Sequence, residues 1–206
     1  MAHKAGFVNI IGNPNVGKST LMNAFVGERL SIITSKAQTT RHRILGIVNG
    51  EDFQVVLSDT PGIIKPAYEL QSSMMEFVKS AFEDADVLVY LVEIGEQELK
   101  DENFFKRITN SEIPVLLLLN KIDKSNQELV EEQVNLWKEK VPNAEIFAIS
   151  ALENFGVPQV FNRILELLPD SPPFYDKEAL TDKPERFFVN EIIREKILLN
   201  YKKEIP

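Results

Sequence analysis

The chain has 206 residues, of which 44% are hydrophobic and 26% are charged, and its formal net charge at pH 7 is −8. This composition is typical of a folded globular protein and excludes disordered and fibrous classes, and the absence of cysteine excludes disulfides, thiolate metal sites and cysteine nucleophiles. The two histidines, His3 and His42, restrict a zinc cluster or a catalytic triad to those positions, and the acidic balance argues against binding nucleic acid by bulk positive charge.

Apolar, β-branched runs alternate with helix-length stretches along the first 170 residues. The runs at 7–11, 44–48, 53–57, 87–92, 115–119 and 145–149 predict six strands. The stretches at 18–27, 70–83, 97–109, 125–140 and 156–167 predict five helices. Asn49-Gly50 predicts a tight antiparallel hairpin between the second and third strands. The order of elements therefore predicts an α/β fold with a doubly wound, mostly parallel six-stranded sheet that contains one antiparallel strand.

The pattern changes after residue 168. Residues 169–185 are rich in proline and charge and are interpreted as a linker. A further helix is predicted from there to about Lys202, with Asp182 as its cap and Glu185 completing a capping box. Its apolar face would consist of Phe188, Ile192, Ile193 and Ile197. This helix either docks on the first domain or opens a second one.

Gly12–Ser19, with the sequence GNPNVGKS, follows a predicted strand and precedes a predicted helix. This is the phosphate-binding pattern G-x-x-x-x-G-K-[ST] in its proper context. The glycines let successive N–H groups point at phosphate oxygens, and the helix presents its positive end to the anion. Lys18 would reach the β- and γ-phosphates, and the Ser19 hydroxyl would bind magnesium. The alternative is a glycine-rich turn without a ligand.

Two further segments suggest residues that sense the γ-phosphate and the metal. In SDTPG (58–62), Asp59 is the candidate for a water-mediated magnesium contact and Gly62 offers its backbone N–H to the γ-phosphate. Residues 31–44 are polar and threonine-rich, which is typical of a switch whose Thr40 hydroxyl moves onto magnesium. An ordinary surface loop is the alternative for this segment.

The predicted fifth and sixth strands are followed by residues suited to guanine. In NKID (120–123), Asn120 would brace the loop, Lys121 would cover the purine ring and Asp123 would accept from the paired N–H donors of guanine, which adenine lacks. In SAL (150–152), the Ala151 N–H would bind the guanine carbonyl. The alternative for NKID is a polar loop that caps the helix after it.

In this order and spacing, the motifs GNPNVGKS, QTTRH, DTPG, NKID and SAL resemble those of the translation-factor-related GTPases. KAQTTRHRILGI (36–47), DTPGI and FFVNEIIREKIL (187–198) narrow the resemblance to the Era family of ribosome-assembly GTPases. The resemblance implies a P-loop GTPase domain at 1–170, followed at 171–206 by a linker and the first helix of an incomplete KH RNA-binding domain. It also implies binding and hydrolysis of GTP with Mg²⁺, and binding of small-subunit rRNA by the full-length protein.

The residue roles that follow from the motifs and the resemblance form three groups. The predicted catalytic residues are Lys18, Thr40 and Gly62. The predicted nucleotide contacts are Asn13, Asn15, Val16, Gly17, Lys18, Ser19, Thr20, Asp59, Gly62, Asn120, Lys121, Asp123, Ser150, Ala151 and Leu152. The predicted magnesium ligands are Ser19, Thr40 and, through water, Asp59. Asn15 also resembles the asparagine with which related GTPases ligate K⁺, beside a loop corresponding to Thr34–Thr39.

Two departures from common GTPase patterns modify these expectations. Ile63 stands where many GTPases place a water-orienting glutamine. We therefore expect intrinsic hydrolysis to be slow and another group, such as K⁺, to complete the catalytic site. No glycine follows Gly156, so the G-x-x-G loop with which a KH domain grips RNA is absent and we expect the RNA-binding part to lie outside this chain.

Other classes of function remain as alternatives at this point. They are a guanine-nucleotide-binding module with little turnover, a P-loop ATPase of another class, which Asp123 disfavours, and, least supported, an RNA-binding structural role. The longest apolar run, at 115–119, is far shorter than the roughly 20 residues that span a bilayer, and the start leaves no room for a signal peptide. We therefore expect a cytoplasmic, monomeric protein, and the resemblance adds peripheral association with the inner face of the cell membrane.

Overall fold

The computed structural model describes residues 3–34, 36 and 39–201 of the chain. The strands are β1 (Lys4–Ile11), β2 (Ile44–Asn49), β3 (Phe53–Asp59), β4 (Val87–Glu93), β5 (Val115–Asn120) and β6 (Ala144–Ala148). The helices are α1 (Lys18–Val26), α2 (Glu69–Glu83), α3 (Glu102–Thr109), α4 (Gln127–Lys140), α5 (Val157–Leu167) and α6 (Glu185–Asn200), with one 3₁₀ turn at Ile122–Lys124.

The six strands form one sheet in the order β2-β3-β1-β4-β5-β6. β2 pairs antiparallel with β3, and the other neighbours pair in parallel, as predicted. Every residue of β5 is buried, because helices cover both faces of the sheet, and this explains the uninterrupted apolar runs in the sequence. The chain winds from β1 to one side and then the other, so the loops after the strands meet in a crevice at their carboxyl ends.

α3 begins five residues later than the predicted start at 97. Asp101 caps the helix, since its side chain accepts from the backbone N–H groups of Asn103 and Phe104. Residues 94–101 are therefore a loop, here called the β4–α3 loop, and the end of it is set by this cap.

The capping box predicted at the start of α6 is wrong. The N-cap position is Pro184, no side chain caps the helix, and Asp182 forms an ion pair with Lys183, at 2.8 Å, instead. Pro184 has the fixed φ that allows a chain to enter a helix, so the helix starts without a side-chain cap.

The predicted apolar face of α6 does not pack inward as a unit. Ile192 and Ile193 are 53% and 54% exposed, whereas Glu191 and Glu195 on the same helix are buried. Glu195 is only 1% exposed because its carboxylate accepts from Arg29 and from the backbone N–H of Ile33, which compensates its burial. Of the predicted apolar face, Phe188 does pack against the core, so α6 contacts the rest of the structure through Phe188 together with these two glutamates.

The segment predicted as a linker lies along the edge of the sheet. Ile47 N donates to Leu180 O at 2.9 Å, and the Thr181 hydroxyl donates to Leu45 O at 2.7 Å. These bonds use backbone groups that the edge strand β2 would otherwise leave open. Within residues 3–34, 36 and 39–201, no helix has the length and apolar character needed to cross a membrane.

Candidate nucleotide-binding site

A cavity of about 430 Å³ lies at the carboxyl ends of the strands, beside the N-terminus of α1. It is lined by Pro14, Asn15, Gly17, Lys18, Ser19, Thr20, Ile32, Ile33, Thr34, Thr39, Thr40, Thr60, Gly62 and Lys121. The structure thus brings together residues of the phosphate loop, of the threonine-rich segment 31–44, of DTPG and of NKID. This is the place where open α/β sheets bind ligands.

Two glycines of the phosphate loop are required by its path. Gly12 has φ of 150°, and a Cβ there would lie 2.2 Å from Leu91 O. Gly17, at the N-cap of α1, has φ of 106°, and a Cβ there would lie 2.4 Å from the Asn120 side-chain nitrogen. A side chain at either position would push the loop away from its neighbours, so the glycines of the motif are explained by close approach as well as by backbone conformation.

Lys18 is buried at the centre of the phosphate loop. Its Nζ donates to Asn13 O at 2.7 Å and to Gly12 O at 3.2 Å. Burial lowers the pKa of Lys18 to about 8, and the carboxylates of Asp59 and Glu96 oppose that shift. A phosphate in the cavity would favour the charged ammonium further, because an anion stabilises the protonated form.

Ser19, Thr40 and Asp59 form a cluster of oxygen atoms at one side of the cavity. The Ser19 hydroxyl donates to Asp59 Oδ2 at 2.7 Å and lies 3.1 Å from the Thr40 hydroxyl, which is itself 3.4 Å from Asp59 Oδ2. Asp59 is fully buried, and burial raises the pKa of its carboxyl group against the hydrogen bond from Ser19. Asp59 Oδ1 is buried without a hydrogen-bond partner among the described residues.

This cluster fits a magnesium ion. Mg²⁺ prefers oxygen ligands and keeps several waters, so two hydroxyls with a carboxylate one water away are a suitable set. A divalent cation would also favour ionised Asp59 and give its unpartnered oxygen a charged neighbour, which compensates the burial.

Asn120 joins the loops that would surround the base. Its Nδ2 donates to Val16 O at 2.8 Å, and its Oδ1 accepts from Ala151 N at 2.9 Å. The Ala151 N–H, which the sequence assigned to the guanine carbonyl, is thus held by Asn120 in this structure. The Ser150 hydroxyl donates to Asp123 Oδ1 at 2.6 Å and orients that exposed carboxylate.

Lys121 lines the same cavity as the threonine-rich segment 31–44. Its backbone is left-handed, with φ of 66°, and its Nζ donates to Asn15 O at 2.7 Å and to Glu93 Oε2 at 2.6 Å. These two bonds stretch the side chain along the edge of the phosphate loop, where its aliphatic part is available to a purine ring.

Several predicted contact residues face away from the cavity. The Asn13 side chain, only 4% exposed, points to the β4–α3 loop, and Val16 packs in the core with its carbonyl held by Asn120. Leu152 is 72% exposed and does not line the cavity. Ile63 is fully buried in the core, and its N–H donates to Gly12 O, so the side chain is not directed to the site of a γ-phosphate.

The threonine-rich segment is held partly by its own hydroxyls and partly by α6. The Thr34 and Thr39 hydroxyls lie 2.7 Å apart, and Thr39 Oγ1 donates to Lys36 O. Arg194 of α6 donates to Thr39 O, next to Thr40. Residues 35, 37 and 38 of the loop predicted to face K⁺ lie outside the described residues.

Sequence reasoning missed Glu96, Arg194 and Glu195. Glu96 accepts from the Asn13 side chain. Arg194 and Glu195 of α6 contact the threonine-rich segment 31–44. Contacts of this kind join residues between 83 and 162 positions apart and follow no local motif. The sequence offers one signal for Arg194 and Glu195: charged residues recur among the apolar residues of α6.

Residues 7–121 match the family described as 50S ribosome-binding GTPase. GTPase Era of Alkaliphilus metalliredigens is 41% identical over 207 residues, which span all of this chain and 70% of that relative. The chloroplastic ERA-like GTPase of Oryza sativa subsp. japonica is 44% identical across 99% of this chain and 49% of its own length.

Two crystal structures are similar over nearly the whole chain. Era in complex with MgGDPNP and a segment of 16S ribosomal RNA has a TM-score of 0.93 at 37% identity, covering 99% of this chain and 70% of that one. A variant of Era from Aquifex aeolicus bound to GDP·AlF₄⁻ has a TM-score of 0.92 at 37% identity, covering 98% and 70%.

Proposed function

Since this chain belongs to the Era family of GTPases, we propose that it acts as a GTP-binding and GTP-hydrolysing switch in assembly of the small ribosomal subunit. The observation that carries this proposal is the single cavity at which the phosphate loop, the Ser19–Thr40–Asp59 cluster and the NKID loop meet. The similar Era protein that was crystallised holds MgGDPNP and 16S rRNA, which supports the same ligands here.

The phosphate side of the cavity would bind the nucleotide through this chain's own groups. Lys18 would contact the β- and γ-phosphates, and the N-terminus of α1 would face the anion. Mg²⁺, held by the Ser19 and Thr40 hydroxyls and through water by Asp59, would neutralise charge on those phosphates. Gly62 lines the cavity and would offer its N–H to the γ-phosphate, and a Cβ at this position would lie 2.7 Å from the Pro14 backbone.

Guanine would be selected through Asp123, which does not itself line the cavity but lies two residues from the lining residue Lys121. Ser150 orients its carboxylate at 2.6 Å, and the outward oxygen remains available to the ring N–H and exocyclic amine of guanine. Adenine presents no such pair of donors on that edge, so a carboxylate there would reject it.

The position after DTPG, which in many GTPases holds a glutamine that orients the attacking water, has no group here that could orient a water molecule. Ile63 is buried, its side chain has no polar group, and its backbone N–H is used in a bond to Gly12 O. This favours slow turnover by the chain alone, and a guanine-nucleotide-binding module with little intrinsic hydrolysis is the second candidate function. We infer that K⁺ bound near Asn15, whose left-handed backbone lines the cavity with Thr34 and Thr39, completes the site.

The C-terminal part supports a proposal for the division of the chain into two parts. Residues 1–170 would be the GTPase domain, and 171–206 would be a linker and the first helix of a KH domain that binds rRNA. The supporting facts are the 70% coverage of similar Era proteins and the exposed Ile192 and Ile193 on α6. A cytoplasmic, monomeric protein with peripheral membrane association is proposed on the same family grounds.

Phosphate release from GTP in KCl and in NaCl, with Mg²⁺ present, tests the catalytic proposal. We expect faster release in KCl, and Asn15→Ala should abolish the difference between the salts while GDP binding persists. Equal rates in both salts would refute the K⁺ site. Tight GDP binding with no release under either condition would instead establish the binding module.

Filter binding tests the placement of the RNA-binding part. We expect residues 1–206 to bind 16S rRNA fragments weakly and the similar full-length GTPase Era of Alkaliphilus metalliredigens, of which this chain covers 70%, to bind them tightly. Tight binding by residues 1–206 alone would contradict the assignment.

A further inference from the structure

The β4–α3 loop (residues 94–101) holds the phosphate loop from outside the cavity. Its main contact is Glu96, a half-buried carboxylate that accepts from the Asn13 side-chain amide through Oε1 and from Glu93 N through Oε2, the latter at 3.0 Å. Both carboxylate oxygens are therefore used, one by a donor of the phosphate loop and the other by a donor at the end of β4. Charge-assisted hydrogen bonds of this kind are stronger than neutral ones and fix geometry.

The Asn13 side chain is bonded at every polar atom. Besides Glu96, its Nδ2 donates to Glu98 O at 3.0 Å, and its Oδ1 accepts from Lys100 N at 3.0 Å. Three contacts on one buried amide leave it a single orientation. The position of the Asn13 backbone is fixed with it.

The backbone carbonyl of Asn13 is in turn the nearest acceptor of Lys18 Nζ, at 2.7 Å. A chain of contacts thus runs from Glu96 through the Asn13 amide and carbonyl to the ammonium group that faces the phosphates. The Glu96 carboxylate also attracts the Lys18 ammonium directly and opposes the effect of burial on the pKa of Lys18.

We propose that Glu96 is a positioning residue for nucleotide binding, which acts through Asn13 to set the place of the Lys18 ammonium at the β- and γ-phosphates. Glu96 itself does not line the cavity. Glu96 is also linked to the base side, since it accepts from the backbone N–H of Glu93, the last residue of β4, and the Glu93 side chain accepts from Lys121. Glu96 thereby connects the β4–α3 loop to both halves of the site.

The test is the GDP affinity of Glu96→Gln, measured by titration calorimetry beside the unchanged protein. Glutamine has one acceptor oxygen and no charge, so it cannot accept from both the Asn13 amide and Glu93 N–H, and the bond that remains is weaker than with the carboxylate. The hold of residue 96 on Asn13 is therefore lost or weakened. We expect GDP and GTP to bind about tenfold more weakly, whereas GMP, measured by competition, changes less than twofold because it lacks the phosphates that Lys18 reaches. Equal weakening of all three nucleotides would show a merely structural role and overturn the proposal.

A matched control and a double substitution complete the design. Glu98→Gln is the matched control, because it removes the same charge from an exposed side chain two residues further along the loop. Asn13 contacts only the backbone carbonyl of Glu98, so this substitution should leave GDP affinity unchanged. In an Asn13→Ala background, itself weakened about tenfold, Glu96→Gln should add less than a twofold loss. A loss in Glu98→Gln, or a second tenfold loss in the double variant, would refute the proposal.

The inference rests on the proposed guanine-nucleotide binding, and the two fail differently. If the unchanged protein does not bind GDP, the proposed function fails. If it binds GDP and Glu96→Gln binds it equally well, only the positioning role fails. Thermal unfolding without nucleotide shows whether Glu96→Gln is folded. If it is not folded, the affinities for GDP and GMP are compared in Asn13→Ala instead.

Discussion

Replacement of Asn120 by alanine is expected to destabilise the protein even without nucleotide, because its amide joins two loops of the site. Asn120 is 2% exposed and bonds Val16 O at 2.8 Å and Ala151 N at 2.9 Å. Alanine would leave a buried carbonyl and a buried N–H without partners, at about 1–3 kcal/mol each, or about 4 kcal/mol in all. For a chain of this size, that corresponds to a fall in Tm of about 8–16 °C.

Thermal unfolding of the nucleotide-free protein measures this effect. Asn190→Ala is the matched control, because Asn190 is exposed on α6 and alanine favours a helix, so its Tm should stay the same or rise slightly. GDP affinity should also fall in Asn120→Ala, since the phosphate loop loses its brace. A fall in Tm of less than about 3 °C would refute the reasoning, because it would mean that the two backbone groups find other partners.

Three further substitutions test other parts of the site and its frame. Asp123→Asn should weaken GDP binding about 100-fold and favour xanthosine diphosphate in calorimetry, because a carbonyl on xanthine replaces the guanine amine; unchanged preference would contradict the base assignment. Arg43→Met should lower the free energy of unfolding by about 2 kcal/mol in denaturant titrations, because Arg43 is only 14% exposed and forms an ion pair with Asp84. Asp84 is 43% exposed, so solvent screening keeps the loss below that of a fully buried pair. No change in the free energy of unfolding would show that the pair is dispensable. Gly62→Ala should slow single-turnover GTP hydrolysis about 100-fold with GDP affinity retained, because its Cβ would lie 2.7 Å from the Pro14 backbone and displace the N–H donor; an unchanged rate would exclude that donor.

The sheet and the polar ends of its strands were predictable because both depend on local sequence. A buried parallel strand requires a continuous apolar run, and the loops that follow β1, β3 and β5 carry motifs whose spacing is set by contact with one ligand. The six strands and their pairing are therefore confirmed. The predicted start of α3 is too early, since residues 97–101 belong to the β4–α3 loop and the helix begins only after the capping Asp101.

The contacts that frame the site could not be predicted, because they depend on partners far along the chain. Asn13 occupies a position that the phosphate-loop motif leaves open, and its partner Glu96 is 83 residues away. Glu195 of α6 is buried because Arg29 and the Ile33 N–H meet its carboxylate, whereas apolar periodicity marks only an apolar face, of which Phe188 packs on the core and Ile192 and Ile193 stay exposed. Periodicity reports where burial is favourable for apolar groups, and it contains no information on where a buried charge finds its partner.

Single-turnover hydrolysis of GTP, compared with ATP, tests the central claim most directly. With protein in excess over nucleotide, in Mg²⁺ and KCl, the account predicts release of phosphate from GTP, none from ATP and none from either after chelation of the metal. Release from ATP at a similar rate, or release from GTP that persists without Mg²⁺, would contradict a magnesium-dependent GTPase built on Lys18, Asp59 and Asp123.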